Sequence, residues 1–192
     1  MIRIYIGLLG SGKTLSMVKD MYNDNKNGRK IVSNLILKFT KNQISQDFFE
    51  KFASGKKEEL FNVTLGLDEL HIFLDSRRST SKRNTYLSYF ILQTRKRDVV
   101  LRGTSQFFNQ IDLRLRNITD YLTQCEALIK QGNKFIKVTP VKAISGLTEE
   151  ETENLWIKNT TIDRSGKVIN KSIFKAKPYF NLYDTNQIID FQ

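Results

Sequence analysis

Ile2, Ile4 and Ile6 alternate with Arg3 and Tyr5 at the head of the chain. A period of two predicts a short strand. A glycine-rich turn follows, and from about Thr14 to Tyr22 the pattern turns helical. Asn23 to Arg29 is a polar turn, and Lys30 to Asn34 reads as a second strand. Strand, helix, strand in this order predicts a βαβ unit with a right-handed crossover, and hence a parallel sheet. Residues 40–59 are polar, with Phe48, Phe49 and Phe52 at helical spacing, and read as a surface helix and loop. The apolar run from Leu60 to Leu67 reads as a strand that leads into two adjacent carboxylates, Asp68 and Glu69. Leu74 to Asn84 is a basic loop, and Tyr86 to Arg97 looks helical with Leu87, Phe90, Ile91 and Thr94 on one face. Asp98 to Gln106 is a further strand that ends in small polar residues.

Beyond this point the pattern is β-rich. Tyr121 to Lys130 and Lys134 to Val141 flank Gln131-Gly132-Asn133, which reads as a hairpin. Residues 145–154 read as a polar acidic turn. Leu155 to Asp163 and Val168 to Lys175 read as a second hairpin around Arg164 to Lys167. The aromatic cluster of the tail, from Pro178 to Tyr183, reads as core rather than as a stacking platform.

At 192 residues the chain can bury one sizeable core, so a single domain is expected. Residues 1–120 would be its nucleotide-binding core and 121–192 its β-rich part. One histidine (His71) and one cysteine (Cys125) cannot build a His/Cys metal cluster, and a lone cysteine excludes an internal disulfide. His71 reads as packing or a local hydrogen bond. No apolar run approaches the ~18–20 residues that a membrane helix needs. Met1 leads straight into the first strand and not into a signal peptide, so a cytoplasmic protein is expected. The net charge of +11 attracts polyanions, nucleic acid first among them.

The chemistry gathers at the strand ends. Gly7 to Thr14 matches G-x-x-x-x-G-K-[ST] at every fixed position, between a strand and a helix. Glycines let backbone N–H groups converge on a polyphosphate, and the helix start adds its own donors and dipole. Lys13 is placed to reach the β- and γ-phosphates, and the Thr14 hydroxyl to ligate Mg²⁺. Gly7, Gly10, Ser11, Gly12, Lys13 and Thr14 are therefore the candidate binding residues for ATP. Asp68, at a strand end, is the second candidate for Mg²⁺. Glu69 is the candidate to activate water. Gln106 ends another strand, where it would orient water or report phosphate loss. Arg114 and Arg116 stand either for charge stabilisation across a subunit boundary or for salt bridges to Asp112 or Asp120. The adjacent Asp-Glu pair argues for a hydrolase over a small-molecule kinase, which must exclude water. A GTPase is disfavoured by the lack of an Asn-Lys-x-Asp signature.

Five features together resemble the FtsK–HerA superfamily of DNA-pumping ATPases, and most nearly its Zot-like and viral genome-packaging branch. They are Gly-Ser-Gly-Lys-Thr at 10–14, Gly-Arg-Lys-Ile-Val-Ser-Asn at 28–34 and Leu-Asp-Glu-Leu-His at 67–71. The others are Gly-Thr-Ser-Gln at 103–106 with Asp-Leu-Arg-Leu-Arg at 112–116, and Leu-Tyr-Asp-Thr at 182–185. The resemblance implies a RecA-like P-loop α/β fold with a mainly parallel central sheet flanked by helices and C-terminal β-hairpins. It implies ring oligomers, often hexamers, with ATP at subunit interfaces and double-stranded DNA in a central channel. It also implies an arginine acting in trans, with Arg114, Arg116 and Arg97 as candidates. A capsid or membrane-protein vertex is an implied partner, and the host cytoplasm or the virion an implied location. Extrusion ATPases of this branch usually carry a transmembrane anchor; its lack favours a packaging motor over filamentous-phage assembly.

Overall fold

The computed structural model describes residues 1–44, 61–73, 94–138 and 146–184. Most of the surface helix and loop expected at 40–59, the basic loop from Leu74, most of the helix expected up to Arg97 and Thr185 lie outside the described residues. The chain runs β1 (Ile2–Ile6), α1 (Lys13–Lys26), β2 (Lys30–Ser33), β3 (Val63–Leu67), the single turn α2 (Leu70–Phe73) and a 3-10 turn (Thr94–Arg97). It continues through β4 (Val100–Ser105), a second 3-10 turn (Phe108–Gln110), α3 (Leu113–Ile118), β5 (Tyr121–Gln131) and β6 (Lys134–Lys137). Last come α4 (Glu149–Glu153), β7 (Leu155–Asp163), β8 (Val168–Lys175) and α5 (Lys177–Phe180).

These strands join one sheet in the order β2-β3-β4-β1-β5-β7-β8, with β6 alongside the far half of β5. The pairs from β2 to β5 are parallel. Those of β5, β6, β7 and β8 with one another are antiparallel. The expected mixed, mainly parallel α/β architecture with two C-terminal hairpins is therefore present. β5 belongs to both halves. It pairs with β1 through Tyr121–Gln124 and with β6 through Leu128–Gln131.

Two segments depart from the sequence reading. α1 continues through the polar residues Asn23 to Lys26 and ends at Asn27, followed by Gly28 with φ 84°. The extra turn is held from outside the helix: Asp24 accepts from Arg102 Nε at 2.8 Å and from Thr64 Oγ1 at 2.9 Å. The polar acidic turn expected at 145–154 contains α4. There Thr148 and Glu151 form a reciprocal capping box, and glutamates at 149–151 suit the positive end of the helix dipole.

Strand alternation sorts the interior into two faces. Ile2, Ile4, Val32, Val63, Leu65, Leu67 and Leu101 point one way and are covered by Leu70, Ile111 and Leu115. Tyr5 and Ile31 point the other way, beneath Met17, Val18 and Met21 of α1. Each fully buried Leu or Ile here contributes about 1.5–3 kcal/mol. Arg102 also points into the α1 side, buried at 6% exposure. It is tolerated because Asp24 takes two of its donors and the Tyr5 hydroxyl a third, with Asp20 bonded to that hydroxyl. The cluster fastens α1 to the middle of the sheet. The tail aromatics Tyr179, Phe180 and Tyr183 pack against the core, as expected. Among the described residues no helix is long and apolar enough to cross a membrane.

Candidate functional site

The carboxyl ends of β1, β3 and β4 meet at one place. β1 delivers the loop Gly7–Gly12, and α1 starts directly behind it at Lys13. Gly12 is the N-cap in the left-handed region, φ 85°, without a side-chain cap. The first-turn N–H groups are thus left to an outside acceptor. A Cβ on Gly12 would lie 2.4 Å from Ile157 Cδ1 on β7, so both backbone angle and space require glycine. A Cβ on Gly7 would lie 2.5 Å from Ser11 Oγ and 2.7 Å from the Cys125 carbonyl oxygen. Ser11 Oγ is buried and has no hydrogen-bond partner among the described residues.

Lys13 is 6% exposed and folds back so that Nζ donates to the Leu8 carbonyl at 3.0 Å. Burial pulls its ammonium below the usual lysine value, and the nearby Glu69 and Asp68 oppose that pull. Thr14 Oγ1 donates to Asp68 Oδ1 at 2.9 Å, and Thr104 Oγ1 donates to the same oxygen at 2.6 Å. Asp68 is only 7% exposed. Its main chain is clamped by Asn34: the Asp68 N–H donates to Asn34 Oδ1 at 2.8 Å, and Asn34 Nδ2 donates to the Asp68 carbonyl at 3.0 Å.

Glu69 holds φ 54°, a left-handed angle that a side chain rarely adopts without support. The support is a hydrogen bond from its N–H to Thr104 Oγ1 at 2.9 Å. One threonine hydroxyl therefore binds the carboxylate of Asp68 and the backbone of Glu69. Among the described residues Glu69 Oε2 has no hydrogen-bond partner, and it faces His71 Nδ1 at 3.3 Å. His71 Nδ1 also lacks a hydrogen-bond partner among the described residues, so no local hydrogen bond is found there.

Gln106 follows β4 and lines a cavity of about 230 Å³ together with Gly7–Ser11, Phe107, Gln124–Ala127, Lys137 and Val138. The cavity occupies the stretch of β5 where β1 has ended and β6 has not begun. Leu8, Leu9 and Phe107 are exposed at its rim. The arginines lie apart from this group. Arg114 sits on α3 with Nε 3.4 Å from Asp112 Oδ1, one of the two partners foreseen. Arg116 Nε donates to the Ile111 carbonyl, and the residue lines a separate cleft with Asp120 and Arg164. Arg97 precedes β4, at the amino edge of the sheet, with its guanidinium over the Phe61 ring.

Thr104 and Asn34 had no assigned role in the sequence reading, although both stand in quoted motifs. The available signal was a small hydroxyl residue two positions before Gln106, on the strand that separates β1 from β3. The donor set fits a Mg²⁺-nucleotide pair. It offers a buried carboxylate flanked by two hydroxyls, an ammonium bonded to a loop carbonyl, and an uncapped helix start beside glycines.

Burial pushes the Asp68 carboxyl above the usual carboxylate range, against the hydrogen bonds from Thr104 and Thr14. A carboxyl raised by folding favours the fold below its unfolded value, and that stability is lost as pH climbs through its folded value. At neutral pH the ionised group is therefore a cost to the nucleotide-free protein. Asp68→Asn keeps the acceptor for both threonines and removes the charge. Thermal melts without nucleotide should show a gain of roughly 1 kcal/mol, about 2–4 °C at this chain length, that shrinks in acid.

The sequence model of the zonular occludens toxin (Zot) family matches residues 1–165. The chain belongs to the Zot family. This Zot-family protein also superimposes on solved structures. The N-terminal domain of zonular occludens toxin from Neisseria meningitidis aligns with TM-score 0.60 and 20% identity, covering 95% of this chain and 98% of that one. The genome-packaging NTPase B204 of Sulfolobus turreted icosahedral virus 2, in complex with ATP-gammaS, aligns with TM-score 0.55 and 12% identity, covering 91% and 96%. The flagellar accessory protein FlaH from Methanocaldococcus jannaschii aligns with TM-score 0.53 and 9% identity, covering 91% and 84%. At these identities the likeness is one of fold, the RecA-like P-loop NTPase fold expected from the sequence. No curated protein sequence matches the chain.

Proposed function

We propose that this Zot-family protein is an ATP-hydrolysing motor that translocates double-stranded DNA in viral genome packaging. One observation carries the reading. Thr14 and Thr104 converge on a single oxygen of Asp68, directly behind the loop of Lys13, and Glu69 follows Asp68 in the chain. This arrangement supports metal and phosphate on one side and a second carboxylate on the other.

In this mechanism Lys13 Nζ leaves the Leu8 carbonyl for the anionic oxygens of the β- and γ-phosphates. Gly10 to Thr14 present backbone donors around them, with Gly7 and Gly12 keeping the loop clear of Cβ atoms. Thr14 Oγ1 and Asp68 would hold Mg²⁺, which would supply charge neutralisation on the phosphate oxygens. The Glu69 carboxylate orients a water and accepts its proton. Gln106 senses or positions that water from the end of β4. Arg114 or Arg116 reaches the site of a neighbouring copy in a ring, hexameric as the resemblance implies. Both arginines belong to α3, outside their own nucleotide loop. DNA follows the ring's channel, with a capsid or membrane vertex as the docking partner in the host cytoplasm.

The match over residues 1–165 favours a second reading, a Zot-like ATPase of filamentous-phage assembly and extrusion. Both readings share a test. ATP turnover is measured with Mg²⁺, with and without duplex DNA, and no other acceptor. Stimulation of about tenfold or more is expected. Turnover indifferent to DNA would remove the motor and leave a nucleotide-dependent scaffold.

A further inference from the structure

The antiparallel half of the sheet turns one face away from α1. Register places its residues. Ile157 and Asn159 of β7 point toward the nucleotide loop and α1, touching Gly12 and Ser16. Trp156, Lys158 and Thr160 alternate with them and therefore point outward. Opposite these on β8 stand Lys175, Ile173 and Lys171, and opposite them on β5 stand Leu128, Glu126 and Gln124. Lys130 of β5, with Phe135 and Lys137 of β6, completes the face.

Side-chain contacts tie the face together. Lys137 and Lys158 both donate to Glu126 at 2.9 Å. Phe135 meets Trp156 edge to face at 5.9 Å, and Lys130 Nζ lies 6.0 Å from the Trp156 ring. Among the described residues, Lys130, Lys137, Lys158, Lys171 and Lys175 thus outnumber the carboxylates that meet them, Glu126 bonded to Lys137 and Lys158 and Glu153 acting on Lys175 from the edge. Glu150 and Glu151 border only the Lys130 end. Phe135 and Ile173 are exposed at 45% and 43%.

We infer that this face is a docking surface for single-stranded DNA. Lysines in rows on adjacent strands suit a line of phosphates, and the interleaved rings suit unpaired bases, which stack on aromatic side chains. A duplex keeps its bases inside its own stack and would meet the lysines alone. A membrane-binding face would need contiguous apolar area, whereas here each apolar residue is bracketed by lysine. Glu126 and Lys137 also line the cavity shared by Gly7–Ser11, so the surface abuts the nucleotide loop. The inference rests on nucleic acid being the partner, as in the motor reading. It adds a second contact, distinct from a duplex in a channel.

Trp156 is the chain's only tryptophan, so its emission reads this face directly. Titration of the whole protein with a thymidine 30-mer should quench it, with affinity that falls as salt rises. The triple variant Lys158→Gln/Lys171→Gln/Lys175→Gln should bind at least about tenfold more weakly. Its log–log salt slope should be shallower by about 2, from three lost phosphate contacts to a single strand. Trp156→Ala, followed by anisotropy of a labelled strand, should lose about tenfold. Melting temperatures and DNA-free ATP turnover report that the variants are folded. Equal binding by the triple variant overturns the assignment, as does quenching by duplex at equal affinity. Quenching by phosphatidylserine vesicles and not by the strand does the same. Duplex-stimulated turnover without strand quenching would sink this surface and spare the motor. Quenching without any DNA effect on turnover would do the reverse.

Discussion

Lys13→Ala is expected to cut ATP turnover by at least about 100-fold, the scale of losing one charged donor at a site of developing negative charge. It should also erase the thermal shift produced by Mg·ATP. For a ligand at 100 times its Kd that shift is worth about 2.7 kcal/mol, roughly 5–10 °C for a chain of this length. Removing the buried ammonium also removes its desolvation cost, which offsets the lost bond to the Leu8 carbonyl and the lost attraction to the two acids. The variant should express and melt cooperatively near the parent temperature without nucleotide. Turnover and a nucleotide shift like the parent's would mean that the loop does not hold the terminal phosphate.

Glu69→Gln should separate binding from chemistry. The amide keeps the shape of the side chain and leaves the backbone bond to Thr104 in place, so the left-handed angle remains supported. The thermal shift with Mg·ATP should survive. Turnover should fall by about 10²–10⁴-fold, the usual contribution of a positioned general base. Single-turnover measurements check this, with bound ATP persisting in the variant. If hydrolysis continues at the parental rate, water is activated by another group and the site assignment must be redrawn.

Much of this architecture was legible in the sequence because its signals are local. The alternation of Ile2, Ile4 and Ile6, the glycine spacing from Gly7 to Gly12 and the two Gly-centred hairpins depend on near neighbours. The C-terminal hairpin boundaries at Leu155–Asp163 and Val168–Lys175 agree with the strands found. One misread segment carried a local signal, the Thr148–Glu151 capping box of α4; the other depends on distant partners. Asn23 to Lys26 looks like a turn until Arg102 and Thr64 reach Asp24 from the sheet. The site shows the same division. Lys13, Thr14, Asp68 and Glu69 advertise themselves by residue type and spacing. Thr104 and Asn34 do not, because their value comes from strands that meet only in the folded sheet. The arginines remain where sequence left them, since a role across a boundary between copies cannot be read from one chain.

The contact of Gly12 with Ile157 sets a condition on how the protein can be made. The Gly7–Gly12 loop leaves the ribosome well before the strand that forms its floor. Until β7 docks, Leu15 and the loop above it lack the apolar bed supplied by Leu155 and Ile157. On the proposed function, competence for nucleotide would be postponed until the chain has been synthesised at least through β7.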